Sequence, residues 1–155
     1  MIELDDVCFS YNGAPALSRI TLRVRPGESV AFIGPNGSGK STLLKLINGI
    51  VLPDSGSYLF SGEPVTRARL ADGSFSRSLH RRIGLLFQNV DAQLFCPAVF
   101  DEVAFGPRQL GLDEAGVDGR VRDCLQLLGI EHLARRAPYH LSEGEKRSVA
   151  LARPS

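Results

Sequence analysis

The sequence predicts an α/β fold built around a glycine-rich loop, and three observations predict it. The first is the order strand, glycine-rich loop, helix. An apolar run, Ser29-Val30-Ala31-Phe32-Ile33, leads into Gly34-Pro35-Asn36-Gly37-Ser38-Gly39-Lys40-Ser41, and a helical stretch, Thr42–Asn48, follows. The second is period-two alternation upstream of the loop, the mark of antiparallel strands with one wet face. The third is a helical stripe over residues 113–128, which places helices in the second half.

Residues 2–9 read as a strand: Ile2 and Leu4 alternate with Glu3 and Asp5, and Val7 and Phe9 continue after a slip in register at Asp6. Tyr11-Asn12-Gly13 follows, and Asn-Gly is a strong hairpin turn signal. Residues 18–25 alternate again, with Ile20, Leu22 and Val24 on one face and Thr21, Arg23 and Arg25 on the other. Pro26-Gly27 turns the chain into the 29–33 run, which reads as a parallel strand buried on both faces. The helix after the loop stops at Gly49, a C′ glycine. Pro53–Gly56 is a turn and Tyr58-Leu59-Phe60 a short strand. Residues 63–77 carry no strong period. Ile83–Phe87 is a second buried-strand candidate that ends at Gln88. Pro97 and Pro107 bracket a short helical segment, with Gly106-Pro107 as its end. Over 113–128, Asp113 caps a helix, Val117, Val121, Leu125 and Leu128 share its stripe, and Gly129 ends it. A last helix starts near Ser142.

Composition bounds the function. The 155 residues suffice for one domain, and 43% hydrophobic with 23% charged residues is the balance of a soluble globular chain. The net charge of +1 gives no global field toward nucleic acid or an anionic membrane. His80-Arg81-Arg82 reads as a solvated face. Cys8, Cys96 and Cys124 have neither disulfide nor zinc spacing, and the opening residues Met1–Asp6 do not read as a signal peptide. No apolar run approaches the roughly 20 residues needed to span a bilayer. A reducing cytosol is the expected compartment.

The loop states its own chemistry. Its glycines let backbone N–H groups turn inward around an anion, Lys40 brings positive charge to the β- and γ-phosphates, and the Ser41 hydroxyl suits Mg²⁺. The helix amino end adds its partial charge. Three further features are ambiguous singly. Tyr11 could stack on a purine, but taken alone it reads better as a turn or core aromatic. Gln88 ends a strand, where ligands collect in open α/β sheets, yet many strands end in glutamine. Leu141-Ser142-Glu143-Gly144-Glu145-Lys146-Arg147 contains a capping box, Ser142 with Glu145, and the same geometry makes an anion site at a helix amino end.

In sequence order, Tyr11, the Gly34–Ser41 loop, Gln88 and the L-S-x-G-E segment at 141–145 resemble the A-loop, Walker A, Q-loop and signature motif of ABC transporter ATP-binding subunits. The resemblance covers essentially the whole chain. Asp91–Pro97, Asp101–Pro107 and the Glu145-Lys146-Arg147 form of the signature resemble the cobalt/nickel and energy-coupling-factor (vitamin) branch. The resemblance implies a P-loop NTPase core with an N-terminal antiparallel β subdomain (residues 1–90) and a partial helical subdomain (91–155), together one ABC-type ATP-binding domain with its C-terminal strands missing. It implies ATP and Mg²⁺ as cofactors. Tyr11 would stack on adenine, and Gly34, Pro35, Asn36, Gly37, Ser38, Gly39, Lys40, Ser41 and Thr42 would form the nucleotide site. Ser41 and Gln88 would sit at Mg²⁺. Ser142, Gly144 and Glu145 would contact the γ-phosphate on the opposite subunit of a head-to-tail dimer. The implied partners are that second ATPase subunit, the same or different, and an integral membrane component touched by residues 89–107, with no nucleic acid. The implied location is the cytoplasmic face of the cell membrane.

Two departures from the family bear on activity. The sequence ends Ala150-Leu151-Ala152-Arg153-Pro154-Ser155, before the family's apolar strand ending in Asp-Glu, which orders Mg²⁺ and the attacking water. Asp101-Glu102 precedes the signature and is rejected as that pair. The expectation is therefore a truncated or frameshifted product, or a fragment, that does not hydrolyse ATP alone, with an exposed apolar strand edge and with Pro154 breaking the last helix. The second departure is Glu143, where the family has glycine. Its carboxylate would repel a polyphosphate, and Glu143→Gly is expected to strengthen ATP-dependent dimerisation in a full-length context. The alternatives are a non-transport ABC ATPase, against which the absence of a tandem domain or basic surface speaks, and a remnant that binds nucleotide weakly or not at all.

Overall fold

A computed structural model describes residues 1–153. The chain divides into two compact units, Met1–Leu85 and the remainder from Leu86 onward. Pro154, expected to break the last helix, lies outside the described residues.

The first unit is a four-stranded antiparallel sheet with three helices. Strands β1 (Ile2–Tyr11), β2 (Ala14–Val24), β3 (Ser55–Phe60) and β4 (Glu63–Pro64) are ordered β2-β1-β3-β4. Asn12 and Gly13, at φ 47° and 83°, join β1 to β2 in a two-residue hairpin whose positive φ values suit the twist of the pair. The slip in β1 is present: Asp6 takes φ 49°, and the register shifts between Leu4 and Val7. This bulge returns Val7 and Phe9 to the buried face beside Leu4. Ile20, Leu22 and Val24 are half-buried while Thr21 and Arg23 are exposed, as the alternation predicts.

Helix α1 (Lys40–Ile47) buries Leu43, Leu46 and Ile47 against this sheet core. It ends at Asn48, and Gly49, at φ 76°, is the C′ residue. Gly49 N–H donates to Leu46 O and Ile50 N–H to Lys45 O, both at 2.9 Å, which is the Schellman pattern. The buried Tyr58 hydroxyl donates to Ile47 O at 2.6 Å, satisfying an end-of-helix carbonyl, and burial pushes its pKa up. The 63–77 stretch, which carries no strong period, holds β4 and helix α2 (Arg67–Ala71), and helix α3 (Gly73–His80) follows. Thr66 and Asp72 cap the two helices by accepting from Arg69 N and Ser74 N. Their shortness hides any helical period.

Gly56 supports the bulge. It takes φ 84°, and a Cβ there would stand 2.5 Å from the carbonyl oxygens of Asp5 and Asp6. Gly56→Ala is expected to destabilise the first unit by about 3 kcal/mol, combining backbone strain with a clash against main chain that cannot rotate away. Chemical denaturation of the variant measures this.

Two strand expectations are corrected. Residues 29–33 form no strand. Val30 is exposed, Ile33 is 95% exposed, and only Phe32 packs against the core. Residues 83–87 likewise form no strand, with Leu86 and Phe87 exposed. Among the described residues every strand pairing is antiparallel. The physical reason is that a doubly buried parallel strand exists only with a neighbour on each edge, and no strand of the described residues lies alongside either run.

The second unit is helical. Helices α4 (Val99–Gln109), α5 (Glu114–Leu127) and α6 (Glu143–Ala152) close on a core that includes Val99, Val103, Val117, Val121, Leu133 and Val149. Asp113 caps α5 by accepting from Gly116 N at 3.0 Å. Val117, Val121 and Leu125 are buried, but Leu128 is the C-cap residue and 36% exposed, so the buried stripe stops one turn early. Helix α4 does not end at Gly106-Pro107. Pro107 lies buried in its last turn, where one missing backbone donor is outweighed by burial of the ring.

Candidate functional site

The glycine-rich loop lies in the first unit between the unpaired run 29–33 and α1. Gly37 and Gly39 take φ 84° and 86°, so the main chain coils tightly and Ser38 N–H closes on Pro35 O at 3.3 Å. Gly39 is the N-cap of α1, where no side chain accepts from the first-turn N–H groups. That amino end, with the α1 dipole behind it, suits an anion. Lys40 Nζ donates to the carbonyl oxygens of Gly34 and Pro35, both at 2.7 Å, and to Ser38 Oγ at 3.2 Å. The loop's own oxygens thus hold the ammonium over the coil. Asn36 and Ser41 are exposed and Thr42 is half-buried beside it. A fixed cation, coiled backbone and a helix amino end fit a polyphosphate. Ser41 offers a hydroxyl, which suits a hard cation such as Mg²⁺.

Tyr11 closes β1 just before the hairpin turn. The residue is 42% exposed, and its ring meets Phe9 edge-on, with centroids 4.8 Å apart and planes at 89°. Phe9 is buried and anchors the tyrosine, which stays exposed.

The second unit holds the other predicted residues. Gln88 is exposed, just before a single helical turn at Val90–Ala92. Ser142 is the N-cap of α6, and the predicted capping box is complete. Ser142 N–H and Oγ donate to Glu145 Oε2 at 2.8 and 2.7 Å, and Glu145 N–H returns to Ser142 Oγ at 3.4 Å. These bonds, first from the Ser142 hydroxyl and then from its N–H, hold the Glu145 carboxyl below its ordinary range, with Arg136 and His132 adding to the effect. The folded chain favours the carboxylate more than the unfolded chain does. The contribution is therefore present above the unfolded carboxyl pKa and is lost as pH falls through the folded one. Ser142→Ala is expected to cost about 1 kcal/mol at neutral pH. The gap to the parent should narrow in acid, as urea titrations at two pH values would record.

Lys146 and Asp91 escaped the sequence reading as partners. Lys146 Nζ lies 2.7 Å from Asp91 Oδ1 and 3.5 Å from Glu143 Oε1, and the bond to Asp91 raises the Lys146 pKa. This ties the amino end of α6 to the turn after Gln88, and Lys146 partly neutralises Glu143. No spacing rule links residues so far apart. Asp101 and Glu102, rejected above as a catalytic pair, are both engaged: Asp101 with Arg108 at 3.3 Å, and Glu102 with the N–H groups of Phe95 and Cys96.

The coiled loop with its lysine at the start of α1 defines a P-loop nucleotide-binding protein. A family model described as ABC transporter matches residues 17–155, and the chain belongs to that family. Over 152 residues it is 53% identical to a putative ABC transporter ATP-binding protein of Clostridium acetobutylicum. It is 52% identical to the nickel import ATP-binding protein LarO of Lactiplantibacillus plantarum over the same length. Each match takes in 98% of this chain and 63% of the relative, so the chain spans under two thirds of these relatives. Among solved structures it is similar to cbiO1 of Clostridium perfringens, part of the ABC transporter complex cbiONQ. There the TM-score is 0.85 at 36% identity, over 97% of this chain and 59% of that one. The α/β fold is that of an ABC ATPase cassette, in part.

Proposed function

We propose that the chain is the ATP-binding portion of an ABC importer subunit that couples ATP to uptake of nickel, cobalt or a vitamin. The carrying observation is Lys40 held by the loop's own carbonyl oxygens at the uncapped amino end of α1. The loop Gly34–Thr42 takes the phosphates and Tyr11 stacks on adenine; Ser41 would hold Mg²⁺, which would screen phosphate charge, and the family resemblance adds Gln88 as a Mg²⁺ ligand. Ser142, Gly144 and Glu145 meet the nucleotide of a second ATPase subunit, head to tail. The turn after Gln88 and α4 face an integral membrane component at the cytoplasmic side of the membrane. The importer assignment is supported by the likeness to LarO, named for nickel import, and to cbiO1.

The chain binds ATP without turning it over. Asp101 and Glu102 are occupied by structural contacts and do not polarise water. Phosphate release by the 155-residue chain with Mg-ATP is expected to equal that of a Lys40→Ala control. Mg²⁺-dependent release that Lys40→Ala abolishes would refute it.

A further inference from the structure

Glu102, on α4, is 0% exposed. Its Oε1 accepts the backbone N–H groups of both Phe95 and Cys96. Its Oε2 is buried without a hydrogen-bond donor among the described residues and faces Arg153 Nη1 at 3.4 Å. Arg153 is the C-cap residue of α6 and donates to Gln93 O. Its guanidinium lies 5.0 and 5.8 Å from the ring centroids of Phe95 and Phe105, which meet each other edge-on.

The two ends of this network differ. The amino end of α4 is pinned by main chain: Val99 N–H donates to Arg136 O and Phe100 N–H to Ala134 O, both at 2.9 Å. Glu102 therefore stands on a fixed platform. Arg153 instead moves with whatever moves α6. A buried carboxylate that loses its counter-charge is costly, so the side chain turns out or the pocket admits water, and the two amides lose their fixed acceptor. The loop Gln93–Cys96 is held by both groups at once, by Glu102 at two amides and by Arg153 at one carbonyl and one ring.

We propose that Glu102 is a positioning residue that shapes the Gln93–Cys96 loop, and that Arg153 makes this shape follow the end of α6. For its consequence the proposal rests on the reading above, in which the opposite end of α6 meets nucleotide and the loop region meets a membrane partner. A shift of α6 then reaches the loop through one buried ion pair. The side chains of Phe95 and Phe105, exposed on that surface, carry the change outward.

Site-resolved amide hydrogen exchange on the 155-residue chain tests it without nucleotide or partner. Arg153→Met touches neither amide directly, yet it is expected to speed exchange at Phe95 and Cys96 about tenfold, with α5 unchanged. Glu102→Gln is expected to act similarly, and the double variant to add nothing beyond the larger single effect, since both break one linkage. Unchanged exchange at the two amides in Arg153→Met, or effects of the two substitutions that multiply in full, would overturn the proposal. Should Arg153→Met unfold the unit, seen as faster exchange throughout α5, Arg153→Lys carries the test. About threefold faster exchange confined to the loop supports the proposal, and none overturns it. ATP binding and its Lys40 dependence are measured separately, so the two readings fail independently.

Discussion

Gly39→Val should remove nucleotide binding and lower the stability of the first unit together. Gly39 takes φ 86°, where a β-branched residue is strained. A Cβ at that position would lie 2.5 Å from the carbonyl oxygen of Ala16 and 3.1 Å from Leu17 Cδ2. The first is main chain of β2 and the second belongs to a buried core residue, so neither neighbour yields cheaply. The loop must lift from β2 or the strand must move. Strain and clash together cost about 3 kcal/mol or more, which lowers the melting temperature by about 10 °C or more in a unit of this size. ATP affinity falls at least about a hundredfold, because the coil no longer presents its N–H groups to one point. Gly37→Ala is the informative control. Gly37 has a similar φ of 84° but no atom within 4 Å of an added Cβ, so its penalty is backbone strain alone, about 1 kcal/mol. Equal losses for the two variants would show that packing against β2 does not set the loop.

Lys40→Ala separates binding from folding. The ammonium's partners are exposed loop oxygens, and no core residue depends on it. Stability should stay within about 0.5 kcal/mol of the parent. ATP affinity should drop at least about a hundredfold, near 2.7 kcal/mol, since a charge-assisted contact to phosphate is lost with nothing to replace it. Lys40→Arg should recover only part, because a planar fork does not fit a site built for a compact ammonium. Parallel melting and titration of the three proteins gives the answer. A stability loss as large as the binding loss would make Lys40 a structural residue.

What the sequence revealed follows from how local each interaction is. The Asn12-Gly13 turn, the Schellman end at Gly49 and the Ser142–Glu145 box each involve residues within five positions, and all were legible. The slip at Asp6 was legible because the apolar residues around it change phase. The runs 29–33 and 83–87 read as strands because apolarity reports burial, whereas a strand also requires a partner that composition cannot supply. Pro107 misled because a helix can run past a proline whose ring is buried in its last turn. The loop, Tyr11, Gln88 and the α6 cap are named from motifs in the sequence. The Lys146–Asp91 tie and the Glu102–Arg153 pair are not, since each joins residues about fifty positions apart with no repeating pattern.

The Gly34–Ser41 loop is proposed as a nucleotide cradle in this chain. Calorimetric titration of the folded 155-residue chain with Mg-ATP tests it most directly. Saturable binding at one site per chain is expected, abolished by Lys40→Ala while the fold persists. No binding by a chain shown to be folded, or binding that Lys40→Ala leaves intact, would contradict it.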